Sequence, residues 1–253
     1  MAINLQSISR TARAVLPPRI VLHGVQGVGK STFAAGAYKP IFLPFEDGLT
    51  GLEVQAFPLL TSYEQAIEAL DALARDPHDY GTAIIDTLDW LEPLIWQRVA
   101  RDAGKNSIEE IPYGKGYAEA LTYWRQLLDR LNALRARGMA TILIAHTEIK
   151  RFDAPDSDAY DRYQIKLHKG AAALAVEWAD VVGFAQVETA LKKEQTGFQT
   201  RQRGIATGRR VLRVVESPAY LAKNRYSLPD PIPLDWAALV AAITPPAADQ
   251  AAA

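Results

Sequence analysis

Short unbroken apolar runs alternate along this chain with longer stretches whose apolar residues recur at helical spacing. Arg19–His23 (RIVLH), Pro40–Phe45 (PIFLPF), Thr82–Asp86 (TAIID) and Thr141–Ala145 (TILIA) have the length and composition of buried strands. Pro44 shifts the second towards a sheet edge or a strand end, because it cannot donate to a ladder. Asp180–Val187 and Val211–Val215 predict two later strands. In Ser62–Arg75, Ala66, Ile67, Leu70 and Leu73 share one helical face. Lys30–Tyr38, Leu88–Ala103, Tyr117–Arg137 and Asp235–Ile243 predict further helices. Strands alternating with helices predict an α/β fold, a mainly parallel central sheet flanked by helices on both faces.

The predicted organisation is a polar leader over 1–18, one α/β domain over 19–243 with a basic, irregular last third, and a disordered, low-complexity tail over 244–253. A length of 253 residues allows a sizeable core, and 49% hydrophobic with 23% charged residues is the balance of a soluble globular protein. The absence of cysteine excludes disulfides, thiol catalysis and zinc–thiolate sites. No apolar run approaches the roughly 18 residues that span a bilayer. No membrane partner is therefore expected, and the expected location is the cytoplasm. A formal net charge of −1 conceals an asymmetry: between positions 192 and 213, Lys192, Lys193, Arg201, Arg203, Arg209, Arg210 and Arg213 stand against one acid, Glu194. Such a run is either a solvated surface or a site for a polyanion.

Gly24-Val25-Gln26-Gly27-Val28-Gly29-Lys30-Ser31 fits G-x-x-x-x-G-K-[ST] and stands between a predicted strand and a predicted helix. Glycines let the backbone wrap with successive N–H groups directed at phosphate oxygens, and a helix N-terminus adds a favourable dipole. The expected ligands are ATP and Mg²⁺. Lys30 would reach the outer phosphates, Ser31 would offer its hydroxyl to the metal, and Thr32 continues the loop into the helix. Asp86, ending TAIID, is the acid a magnesium shell needs, and it could equally cap the helix starting near Leu88. Asp89 reads as a structural first-turn acid. Glu46 follows PIFLPF at the strand end, where ligands of open α/β sheets bind. It is a candidate to orient or deprotonate an attacking water, or else a turn residue before Gly48. His146 follows TILIA in the same kind of position, as a sensor of the γ-phosphate or a hydrogen-bonded edge residue.

With GVQGVGKST, IFLPFEDGL, AIIDT, ILIAHT and AKNRYSLP in that order, the chain resembles the RecA-like P-loop ATPases. It is most similar to the small phage-encoded nucleotide-binding proteins that act as single-strand annealing recombinases. The resemblance covers roughly residues 19–230. A glutamate one strand after the phosphate loop, and not beside Asp86, is the feature that points to the RecA branch. The resemblance implies that Glu46 activates water, with Lys30 as a further catalytic group. It also implies that His146, where the family usually has glutamine, couples ATP to a DNA-binding loop over 150–169 with Lys150, Arg151, Tyr160 and Tyr163. Lys223-Asn224-Arg225 stands where the family has Lys-Asn-Lys. The resemblance therefore implies that Lys223 and Arg225 reach a neighbour's γ-phosphate, the alternative being a plain basic turn.

The implied partners are single-stranded DNA, further copies of the chain in a ring or short filament with ATP at the interface, and a single-strand-binding protein. Arg201, Arg203, Arg209 and Arg210 would add a phosphate-tracking surface for the DNA. The expected function is a magnesium-dependent ATPase of DNA recombination, stimulated by single-stranded DNA and promoting annealing or strand exchange. The alternative is a nucleotide kinase or an ATP-gated assembly factor with no nucleic-acid role.

Overall fold

The computed structural model describes residues 16–153, 158–196 and 199–243. All but the last residues of the expected leader, and the expected tail, lie outside the described residues. The phosphate-loop strand is β1 (Arg19–Gly24), followed by α1 (Lys30–Ala35). Next come β2 (Pro40–Pro44), a two-residue β3 (Gln55–Ala56), α2 (Tyr63–Arg75), β4 (Thr82–Asp86), α3 (Leu88–Asp102) and α4 (Lys115–Ala136). Then follow β5 (Ala140–Phe152), β6 (Tyr160–Ile165), α5 (Lys169–Trp178), β7 (Val181–Thr196) and β8 (Gln199–Arg213). β9 (Lys223–Asn224), β10 (Ile232–Pro233) and α6 (Trp236–Ile243) come last among the described residues.

The strands lie in the order β10-β8-β7-β1-β5-β4-β2-β3, with β6 paired to β5 and β9 to β7. From β7 through β3 every pairing is parallel, so the expected parallel centre is present. β8, β10, β6 and β9 join antiparallel and make the sheet mixed. Its central strands alternate between two cores, as the period of two requires. Val21, Leu43, Ile85 and Leu143 pack with α2, α3, α4 and α5, while Ile20, Leu22, Phe42, Ile84 and Ile142 pack with α1 and α6.

Two expectations are corrected. Much of the stretch from Lys150 to Lys169 is not an open loop: β5 continues past His146 to Phe152 and pairs with β6, from Thr147↔Ile165 to Phe152↔Tyr160. The last third is likewise not irregular, because β7 and β8 form a long antiparallel hairpin. Beyond Ala185 it leaves β1 and continues as a two-stranded arm. Both hairpins are rich in charged and polar residues, so neither leaves an apolar periodic trace in the sequence.

Two ionisable groups are buried beside these elements. His23 of β1 is fully buried, with Nε2 2.8 Å from the Leu221 carbonyl, to which it donates, and Nδ1 2.6 Å from Thr147 Oγ1. Burial lowers its pKa from 6.5 to about 4, although the Leu221 bond opposes the shift. Glu92 of α3 accepts the His168 N–H on both oxygens, at 2.9 and 3.1 Å. Burial raises its pKa from 4.5 to about 7, with the His168 bond and Lys150 opposing and Asp89 and Glu148 assisting. The two groups act on stability in opposite senses. Neutral His23 favours the fold above pH 6.5, and that contribution is lost as pH falls towards 4. Protonated Glu92 favours the fold below pH 4.5, and that contribution is lost as pH rises through about 7. Glu92→Gln removes only the second. Urea unfolding of variant and parent should therefore show the difference moving in the variant's favour by about 3 kcal/mol between acid and mildly alkaline pH. A difference independent of pH would show that Glu92 does not titrate in the fold.

Candidate functional site

The glycine-rich loop starts where β1 is pinned on both sides, Gly24 lying opposite His146 of β5 and Ala185 of β7. Gly24 has no room for a side chain, since a Cβ there would come within 2.5 Å of the Ala185 carbonyl oxygen. Gly29 has φ 103°, in the left-handed region that side chains avoid, and it caps α1. The chain thus wraps and releases the helix N-terminus at Lys30. Lys30 is only 6% exposed, and its Nζ donates to the carbonyls of Gly24 (3.0 Å) and Val25 (3.1 Å). Burial lowers its pKa, opposed by Asp86, Asp89 and Glu46. Ser31 Oγ donates to Asp86 Oδ2 at 2.7 Å, so the loop and the end of β4 meet in a single hydrogen bond.

Sheet register gathers the remaining groups. Pro44 is level with Asp86, and Glu46 follows two residues later. Lys30, Ser31, Glu46, Asp86 and His146 line one cavity of about 480 Å³, together with Arg210. Burial raises the pKa of Asp86, with Ser31 and Lys30 pulling it down. Burial also raises that of Glu46, opposed by His146. Asp89 holds His146 at two points: Oδ1 accepts the backbone N–H at 2.9 Å, and Oδ2 lies 2.8 Å from Nδ1. Burial pushes the Asp89 carboxyl up, but its bonds with His146 outweigh this and hold it below the usual range. The imidazole therefore has Nδ1 committed to Asp89, which leaves Nε2 for a ligand in the cavity. Asp89 is not merely a first-turn acid. Its place three residues after Asp86 was legible in the sequence; the strand it would meet was not.

Among the described residues no group of three or more His, Asp or Glu side chains forms a metal cage. Ser31 and Asp86 fit a hard cation that takes its other ligands from phosphate oxygens and water, as Mg²⁺ does. The wrapped loop, the α1 N-terminus and the Lys30 ammonium fit a polyphosphate.

The other expected site residues are scattered. Lys150 pairs with Glu148 (2.7 Å) and Arg151 with Asp153 (3.9 Å), both on the β5–β6 hairpin after it has left the parallel sheet. Arg209 pairs with Glu188 (2.5 Å) near the root of the β7–β8 hairpin. Arg201 and Arg203 lie further out on β8, their side chains outside the described residues. Lys223 and Arg225 sit near the opposite end of the parallel strands from the glycine loop, Lys223 being level with Val182. Lys223 Nζ donates to the carbonyls of Val176 (2.6 Å), Glu177 (3.2 Å) and Ala179 (3.0 Å), closing the end of α5. Arg225 bonds the Glu177 carbonyl and Asp180.

The AAA domain family profile matches residues 16–226. The SPbeta prophage-derived uncharacterized protein YorG of Bacillus subtilis (strain 168) is 25% identical over 153 residues, which are 58% of this chain and 46% of that protein. The chain therefore covers less than half the length of that relative.

Two substitutions separate binding from scaffold. Lys30→Ala should lower affinity for a nucleoside triphosphate by well over tenfold, measured by calorimetry, because a buried ammonium beside the loop is lost. Affinity equal to the parent would remove the loop from the site. Lys223→Met should cost about 2 kcal/mol in urea unfolding, since three carbonyls at the end of α5 lose a charged donor. An unchanged midpoint would show that these bonds contribute nothing to the fold.

Proposed function

The chain belongs to the AAA domain family of P-loop ATPases, and from that premise we propose a magnesium-dependent ATP hydrolase of RecA-like type whose turnover is coupled to single-stranded DNA. The observation that carries the hydrolase reading is the convergence of Lys30, Ser31, Asp86, Glu46 and His146 on one cavity. Lys30 neutralises phosphate charge once a nucleotide draws it from the Gly24 and Val25 carbonyls. Asp86 and Ser31 would hold Mg²⁺, which when bound screens the phosphates and polarises the bond to be broken. Glu46 accepts the proton of the attacking water, and its raised pKa makes it a better base than an exposed carboxylate. His146, fixed by Asp89, stands where its free nitrogen can report the terminal phosphate to the β5–β6 hairpin that begins at the next residue.

The coupling to DNA rests on the two hairpins that leave the sheet on the same side as the site. The sequence of the β7–β8 arm is strongly basic, and a row of cations follows a phosphate backbone without reading bases. Self-association is part of this proposal. A role in trans for Lys223 and Arg225 requires them to exchange their bonds at the end of α5 for a neighbour's phosphate.

Phosphate release from ATP with Mg²⁺ tests the reading. The parent should turn over and accelerate when single-stranded DNA is added. Glu46→Gln should bind ATP as the parent does and hydrolyse it about 10²-fold or more slowly, since the amide cannot accept a proton. Full activity in that variant removes Glu46 from the chemistry. Phosphate transfer to a nucleoside monophosphate, with no response to DNA, would favour a kinase instead.

A further inference from the structure

Arg210 is the one cation of the basic run that the described structure brings to the phosphate loop. Its backbone is held by pairing with Val187 and by its carbonyl, which accepts the Leu234 N–H at 3.0 Å. The β7–β8 register shifts between Val187 and Thr189, immediately beside it, and such an irregularity re-aims nearby side chains. The result is a guanidinium lying along Gly29. A Cβ at Gly29 would be 3.0 Å from Arg210 Nη1, 3.7 Å from Cδ and 3.8 Å from Cζ. Its neighbour Arg209 is tied to Glu188. Among the described residues the Arg210 side chain has no hydrogen bond or ion pair, although it lines the same cavity as Lys30. A cation without an acid, resting on an anion-binding loop, has its partner still to come.

Strand order says which part of that partner it meets. β1 carries the loop. On one side lie β5, with His146 where it leaves the parallel sheet, then β4 ending in Asp86 and β2 followed by Glu46; on the other lie β7 and then β8 with Arg210. With strands about 4.8 Å apart, Arg210 and Glu46 are rooted some 20 Å or more from each other across the rim. A nucleotide whose terminal phosphate meets the Ser31–Asp86 pair and Glu46 must extend its other end towards β8. We propose that Arg210 binds the inner phosphates of the nucleotide from within the same chain, and so fixes the direction in which the nucleotide lies. This rests on the reading of the site as an ATP site. It removes Arg210 from the free DNA-facing cations and makes the root of the basic hairpin a wall of the nucleotide pocket.

Calorimetric titration with ATP and with ADP tests the proposal on the parent, Lys30→Ala, Arg210→Ala and Arg210→Lys, each checked for folding by thermal melting. An inner-phosphate contact is present with either ligand. Arg210→Ala should therefore weaken ATP and ADP by the same factor, about tenfold for one lost charge-assisted contact. Arg210→Lys, which keeps the charge and is the variant to read if alanine unfolds the chain, should lose less, again equally for the two. Unchanged affinities in both variants overturn the proposal. So does a loss confined to ATP, which would place Arg210 at the terminal phosphate. Both results leave the ATP reading intact while the parent binds and Lys30→Ala does not. A parent that binds neither nucleotide overturns that reading, and this proposal with it.

Discussion

A buried strand cannot leave its backbone groups unpaired, and β1 meets that demand on both edges, with residues 141–146 of β5 on one side and 181–185 of β7 on the other. All three strands run the same way. The points where they leave the parallel sheet are therefore forced onto one rim, with the carboxyl ends of β4 and β2 beside them. The glycine loop, the Asp86 carboxylate, Glu46 and His146 are far apart in sequence and close in space for this reason. Helices close both faces of the sheet, so the rim is where its strand ends remain open to a ligand.

The charges on that rim are mutually dependent. Lys30 is buried against carbonyls, and Asp86 is 3% exposed with, among the described residues, only the Ser31 hydroxyl bonded to its side chain. Two carboxylates, Asp86 and Glu46, are pushed up by burial while Lys30 is pushed down by the same cause. Asp89 escapes that trend because His146 supplies it with two hydrogen bonds. A polyphosphate with its cation would bring the missing charges of both signs.

The cations outside the rim are sorted by what they touch. Arg19, Arg135 and Arg225 converge on the carboxylate of Asp180, and Lys223 closes the end of α5 beside them. These residues join the end of α5 to the start of β7, an architectural task at the end of the sheet remote from the loop. Arg209 is neutralised by Glu188, whereas Arg210, one residue on, lies against the phosphate loop. The β7–β8 register shifts beside them, between Val187 and Thr189, and one step along β8 there separates a surface ion pair from the cavity wall.

The sequence by itself determined the parallel centre and the phosphate loop. RIVLH, TAIID and TILIA are buried on both faces and so carry unbroken apolar centres (Ile20–Leu22, Ala83–Ile85, Ile142–Ala145), and the loop's glycines are required by local backbone geometry. Glu46, Asp86 and His146 were legible for the same reason, each standing just past or at the end of such a run. Tertiary structure alone decided the rest. The two hairpins are strongly polar and carry no apolar period, so the sequence around Lys150 and Arg201 reads as irregular. The partnership of Asp89 with His146 depends on β4 lying beside β5, and the reach of Arg210 to Gly29 depends on β8 lying two strands from β1. Local pattern records what a residue needs from water and from its own backbone; which distant residue answers that need is settled only when the strands take their order.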